Sequence, residues 1–241
     1  MRDLVRWHDL ECGSYDVDLP LWRDLATEAG GPVLDVGAGT GRVTLDLARR
    51  GVSVTALDVE EPLLAELARR ASAERLTVAT LLADARELAV SARFGAIIAP
   101  MQTIQLLGGP AGRMRFLDRV RAHLRPGGLF AAALADALEG YDPEVSAPPL
   151  PDLAELDDGT VYSSRPVAVL PVATGMMIER VREVVSPAGQ RTVTEDRIVL
   201  DALTARTLYA ECAAAGLTAE PERLVAATQE YVGSAVVVCR G

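Results

Sequence analysis

The chain contains no lysine: all 24 of its basic residues are arginine, and against 34 acids they leave a formal charge of −10 at pH 7. Tight binding to nucleic acid needs a basic face that displaces counterions. This balance therefore argues against DNA, RNA and anionic membranes as partners and favours small molecules. Cysteine is scarce too. Cys12, Cys212 and Cys239 are odd in number and show no C-x-x-C spacing, which argues against a disulfide framework or a structural zinc site and leaves them as free thiols. Long apolar runs are missing: Leu129 to Ala135 is among the longest and falls far short of the roughly 18 residues that span a bilayer. Met1-Arg2-Asp3-Leu4-Val5-Arg6 leads into no signal-peptide core, so a soluble cytoplasmic protein is expected. Only two histidines, His8 and His123, are present to act as general bases.

What is present is a chain of 241 residues with 49% apolar content, enough for one domain with an insertion. Residues 1–29 begin polar, carry Trp7, His8 and Tyr15, and then show helical spacing from Pro20 to Ala26. From Val33 to about Ala135, strands alternate with amphipathic helices over Arg42 to Arg50, Pro62 to Ala71 and Gly112 to Leu124. That alternation predicts a parallel sheet covered on both faces, with ligands at the C-terminal strand ends. After Ala137 the character changes. Residues 138–158 are rich in proline and acids and read as a loop or lid, whereas Thr160 to Pro171, Met176 to Val185 and Thr192 to Leu200 have the β-branched content of strands. Thr204 to Ala215 returns to helix, closed by Gly216, and Leu217 to Val225 with Tyr231 to Cys239 reads as a final antiparallel pair.

The strand Val33-Leu34-Asp35-Val36 runs into Gly37-Ala38-Gly39-Thr40-Gly41, a G-x-G-x-G turn. The dinucleotide fingerprint instead spaces its third glycine three residues after the second, where Arg42 falls here. In order there follow Val54 to Val59 ending in Asp58, then Leu81 to Arg86, Phe94 to Pro100 and His123 to Leu129. As an ordered set, over roughly residues 30–136, these segments resemble the successive motifs of the class I S-adenosylmethionine-dependent methyltransferases of small-molecule type.

The resemblance implies an α/β fold with a doubly wound, mostly parallel, seven-stranded Rossmann-like sheet and a β-rich insertion before the last helix and strand pair. In this reading residues 1–29 cover the cofactor, 30–136 form its binding core, 138–201 form a lid or the surface of a homodimer, and 203–241 complete the sheet. Asp35 would orient the glycine turn and reach the amino group of the methionine moiety of S-adenosylmethionine. Gly37, Ala38, Gly39 and Gly41 would lie against that moiety. Asp58 stands 21 residues after Gly37, and an acceptor-only side chain there suits a vicinal diol. Val59 and Leu63 would pack on adenine, Asp84 and Ala85 would read its edge, and Pro100 and Met101 would stand beside the sulfonium. Arg86 reads as a surface residue able to pair with a nearby carboxylate.

For the acceptor side the resemblance offers Tyr15 as a lid residue, His8 with Trp7 as an approach from the N-terminus, and Gln102, Asp136 and Glu139 as positioning groups or bases. Gln105 reads equally as a substrate contact or a protein-facing residue, and His123 as structural. An N-P-P-Y type motif is absent from the loop after the fourth strand, which argues against DNA or protein glutamine as acceptor. The expected reaction is in-line methyl transfer to an oxygen or nitrogen of a small molecule. The rivals are another use of the same cofactor, for cyclisation, side-chain transfer or regulation, and a nicotinamide-dependent oxidoreductase.

Overall fold

The computed structural model describes residues 2–135, 150–228 and 233–241. Asp136 and Glu139, and the Tyr231 end of the last expected strand, lie outside the described residues. Five parallel strands build the core in chain order: β1 (Val33–Val36), β2 (Val54–Asp58), β3 (Ala79–Leu82), β4 (Phe94–Ala99) and β5 (Leu124–Leu134). Between and before them run helices α1 (Arg2–Cys12), α2 (Leu19–Ala29), α3 (Arg42–Arg49), α4 (Glu61–Ala73) and α5 (Gly109–His123). β1 and β4 are buried along their whole length because helices cover both faces. Leu34, Val36 and Ile97 pack toward Phe116, Leu117 and Val120 of α5. On the other face Val33, Ala96 and Ile98 meet Trp22 and Leu25 of α2 and Val43 and Leu47 of α3. Trp22 is fully buried, and its indole N–H is satisfied by Asp18 at 2.7 Å.

Between Ala135 and Ala205 the chain leaves the core for a second sheet, an antiparallel meander of β6 (Asp152–Glu155), β7 (Val161–Val172), β8 (Gly175–Val185) and β9 (Arg191–Asp201). The expected strands are present. β6 was not expected: it lies within the stretch read as loop, since Asp152-Leu153-Ala154-Glu155 has no β-branched residue and forms only through its pairing with β7.

Helix α6 (Ala205–Ala214) follows, its first turn capped by the Thr204 hydroxyl and its end marked by Gly216 at φ +80°. The last strands are β10 (Thr218–Ala219), β11 (Arg223–Val225) and β12 (Ser234–Arg240). Across the large sheet the order is β3-β2-β1-β4-β5-β12-β10, with β11 also paired to β12. The single strand expected over Leu217 to Val225 is thus two short ones on the same edge of β12. Pro221 lies between them and has no N–H to give the ladder. The chain order reverses between β1 and β4, and the C-terminal ends of these two strands frame the crevice where such sheets bind ligands.

The N-terminal segment is a further departure: Arg2–Cys12 is a helix. The face by which it docks is largely polar. Trp7 meets Tyr162 edge-on at 5.0 Å, Arg6 donates to the Tyr162 hydroxyl, and Glu11 accepts two bonds from Arg182 at 2.8 Å and one from Ser164 at 2.6 Å. Toward the core, Asp9 accepts from Thr40 at 2.7 Å and pairs with Arg70 of α4. α1 therefore bridges the glycine turn and the second sheet.

Candidate active site

A cavity of about 440 Å³ opens at the C-terminal ends of β1, β2 and β4. Its floor is the glycine turn, in which Gly37, Gly39 and Gly41 all have positive φ, at +70°, +55° and +98°. Space demands glycine as well as dihedral angle. A Cβ on Gly37 would sit 2.6 Å from the Thr103 hydroxyl, one on Gly39 would fall on the His8 ring, and one on Gly41 would be 2.8 Å from Leu67 Cγ. Each glycine thus yields to a different element, and Thr103, which the sequence does not single out, is one of the residues that require it.

The two carboxylates divide their work differently from the sequence expectation. Asp58, not Asp35, holds the turn: its Oδ2 accepts from the Gly39 amide at 2.8 Å and its Oδ1 from the Glu60 amide at 2.9 Å. The Leu57 carbonyl takes the amides of Gly37 and Ala38. Asp35 instead accepts from the Thr44 hydroxyl of α3 at 2.7 Å, while its Oδ1 is buried with no hydrogen-bond partner among the described residues. Burial pushes the Asp35 carboxyl up to about 7, the neighbouring Asp58 charge adds to this, and the Thr44 bond and Arg42 oppose it. A buried unsatisfied carboxylate oxygen in a cavity wall calls for a cationic or donor ligand.

At the far end Val59 leaves 61% of its surface uncovered, with Leu63 and Ala85 buried beside it. Asp84 is engaged from within the chain: it caps the turn Ala85–Glu87 through the Arg86 amide, and Arg86 pairs with it, holding its carboxyl below the usual range. Arg86 is accordingly both a partner of Asp84 and part of the cavity lining, not a free surface group.

The opposite wall comprises Cys12, Pro100, Met101, Gln102, Leu106 and, from the second sheet, Ile198 and Leu200. Met101 holds a left-handed backbone at φ +54°, unusual for a side-chain-bearing residue and typical of binding sites. The Pro100 carbonyl before it is taken up by the Thr103 amide and hydroxyl. Burial pushes the Cys12 thiol up to about 11, so it stays protonated near neutrality. Ile198 and Leu200 carry no sequence signal for this role, because only the meander brings them across the cavity.

Some expected residues stand elsewhere. Tyr15 lines an adjoining cavity of about 260 Å³ and not the main one; its carbonyl accepts from Arg42, whose guanidinium lies over its ring. Arg42 in turn pairs with the buried Asp18. Trp7 is buried against Tyr162. Gln105 faces the protein: its amide bonds both the N–H and C=O of Ala135 and also the carbonyl of Asp201, tying together the two roots of the insertion. His123 is structural as expected, set between the Arg119 carbonyl and the Val90 amide. His8 remains in the main cavity, half-buried over Gly39.

Residues 33–128 match a family model described as a methyltransferase domain. No curated protein sequence matches the chain significantly. Among solved structures it is similar to the sugar N-methyltransferase KedS8 from Streptoalloteichus sp. ATCC 53650, at 19% identity over 100% of this chain and 93% of that one, with a TM-score of 0.75. It is also similar to CalS10 from Micromonospora echinaspora, an amino pentose methyltransferase solved with S-adenosylmethionine, at 21% identity over 95% and 93%, with a TM-score of 0.72. A third is the glycopeptide N-methyltransferase MtfA with S-adenosylhomocysteine, at 24% identity over 92% and 86%, with a TM-score of 0.62. The glycine turn, its ordered neighbours and the sheet order agree with these matches: residues 33–128 match a methyltransferase domain, and the chain has the fold of these S-adenosylmethionine-dependent methyltransferases.

Proposed function

We propose that this chain is an S-adenosylmethionine-dependent methyltransferase that methylates an amine nitrogen of a small molecule, with the cofactor seated along the floor of the 440 Å³ cavity. The observation that carries the seating is the unpartnered Asp35 oxygen, which a methionine ammonium would satisfy. Asp58, fixed by two backbone amides, keeps lone pairs for the ribose diol. Val59, Leu63 and Ala85 offer adenine an apolar slot. Asp84 reaches its exocyclic amine only through acceptor capacity left over from Arg86.

When bound, the cofactor supplies a methyl group on a sulfonium whose departure leaves a neutral thioether. The chain's own task is then to orient. Pro100, Met101 and Gln102 border the space beyond the cofactor floor, and the Gln102 amide oxygen can accept an N–H so that the nitrogen lone pair points inward. Leu106, Ile198 and Leu200 keep water from the same space, and holding reactants aligned gains about 7–11 kcal/mol over a bimolecular encounter. An amine requires only its free base, which solvent equilibrium provides, so the wall needs no strong base. The names of KedS8, CalS10 and MtfA support a sugar or glycopeptide amine as the first class to try.

Incubation with methyl-labelled cofactor and matched panels of amines, phenols and alcohols tests this reading. Label is expected on the amines. Transfer to phenols or alcohols alone would overturn the choice of nitrogen, and cofactor turnover without a labelled acceptor would favour a non-methylating use of the site.

A further inference from the structure

His8 is the part of the cavity that the proposed function leaves without a task. It comes from α1 and lies directly over Gly39, the residue whose amide Asp58 holds. Its hydrogen bonding fixes which nitrogen carries the proton. The Thr40 hydroxyl has a single hydrogen and gives it to Asp9 Oδ1 at 2.7 Å, an acceptor-only carboxylate that is itself bound by Arg70. Toward His8 Nδ1, 3.3 Å away, Thr40 Oγ1 can therefore act only as acceptor. Nδ1 bears the hydrogen, and Nε2 is left as a lone pair over the glycine turn. Burial lowers the His8 pKa against the opposing pull of Asp9, Asp58 and Glu11, which keeps the ring neutral and the lone pair available near pH 7.

We propose that His8 is a second ribose-recognising residue, whose Nε2 accepts a hydrogen bond from one hydroxyl of the cofactor's vicinal diol while Asp58 accepts from the other. The inference rests on the cofactor seating proposed above. It assigns His8 to cofactor binding and not to proton abstraction at the acceptor. The Thr40–Asp9–Arg70 chain becomes the device that holds the required tautomer, and α1 becomes a closing element over the nucleoside.

Calorimetric dissociation constants for S-adenosylhomocysteine and its 2′-deoxy and 3′-deoxy analogues decide the matter. The wild-type protein is expected to lose about tenfold in affinity for each missing hydroxyl. The variant His8→Ala should bind the parent ligand about tenfold more weakly and become indifferent to the loss of one hydroxyl, while still losing affinity for the other. In His8→Gln, whose amide keeps an acceptor, part of both effects should return. An unchanged affinity in His8→Ala overturns the proposal. So does a uniform loss for all three ligands, which is what a merely loosened α1 would produce. If the wild-type protein itself fails to bind S-adenosylhomocysteine, the cofactor seating falls, and this inference with it.

Discussion

Asp35 is the residue on which the apo protein spends stability. The folded form holds a proton up to about pH 7 that an ordinary carboxyl of 3.8 releases earlier. The folded state thus binds more protons than the unfolded one across this window, and stability falls as pH rises from about 4 to about 7. At pH 8 the ionised, half-partnered carboxylate costs roughly 4 kcal/mol. Urea unfolding should therefore show Asp35→Asn more stable than wild type at pH 8 and nearly equal to it at pH 4. The same substitution should cripple cofactor binding. For the wild-type protein, affinity for S-adenosylhomocysteine should be flat from about pH 7 up to the range where the ligand's own ammonium deprotonates, and fall about tenfold per pH unit below pH 7, because binding must first expel the proton. A pH-independent dissociation constant would show that no cation meets Asp35. Asp58→Ala should weaken the same ligand by about 1.5–3 kcal/mol, the scale of charged hydrogen bonds, again read by calorimetry.

At the scale of elements, α1 and its partners decide how the cavity is walled. Glu11 and Arg182 are a mostly buried bidentate pair, at 12% and 18% side-chain exposure, and without Glu11 the guanidinium keeps its ion pair with Asp196 at 2.9 Å. Because Arg182 keeps Asp196, Glu11→Ala should cost about 1.5–3 kcal/mol, the scale of charged hydrogen bonds, and the double variant with Arg182→Met should recover part of it in thermal unfolding. Gln105→Ala removes the amide shared by Ala135 and Asp201 and should expose the insertion roots to protease while leaving S-adenosylhomocysteine affinity within a few fold.

These elements also mark where the sequence was readable. The helices α3, α4 and α6 and the strands β7 to β9 declare themselves by period and punctuation, and the turn from Gly37 to Gly41 by spacing. α1 does not, because its docking face is built from ion pairs and an aromatic edge. Nor does the position of Tyr15, since nothing local tells that Arg42 will pin it beneath its guanidinium in the neighbouring cavity. The exchange of duties between Asp35 and Asp58 depends on which strand end faces Gly39, a tertiary fact. Ile198 and Leu200 are invisible for the same reason: their importance is a matter of where β9 is carried.

Across the whole molecule, the doubly wound, mostly parallel sheet was legible in the sequence, while its strand order and the split of the final edge at Pro221 emerge only in the fold. Among the described residues no helix is long and apolar enough to cross a membrane. The second sheet is tied to the first in two places: at its roots, through Gln105 and through Asp201, which takes Arg113 and the Gly109 amide, and at α1. One would expect a meander inserted between two strands to be exchangeable among relatives, as a cassette that resets acceptor choice. Here Tyr162, Ser164 and Arg182 are matched to Arg6, Trp7 and Glu11 of α1, some 150 residues earlier in the sequence. A graft of residues 150–201 alone would separate those pairs. A graft that also carries α1 would preserve them, but it would bring a foreign residue to the place of His8 over the glycine turn. If the meander walls the acceptor as proposed, a new acceptor in this scaffold requires α1 and the meander to be revised together, or point changes at Ile198 and Leu200.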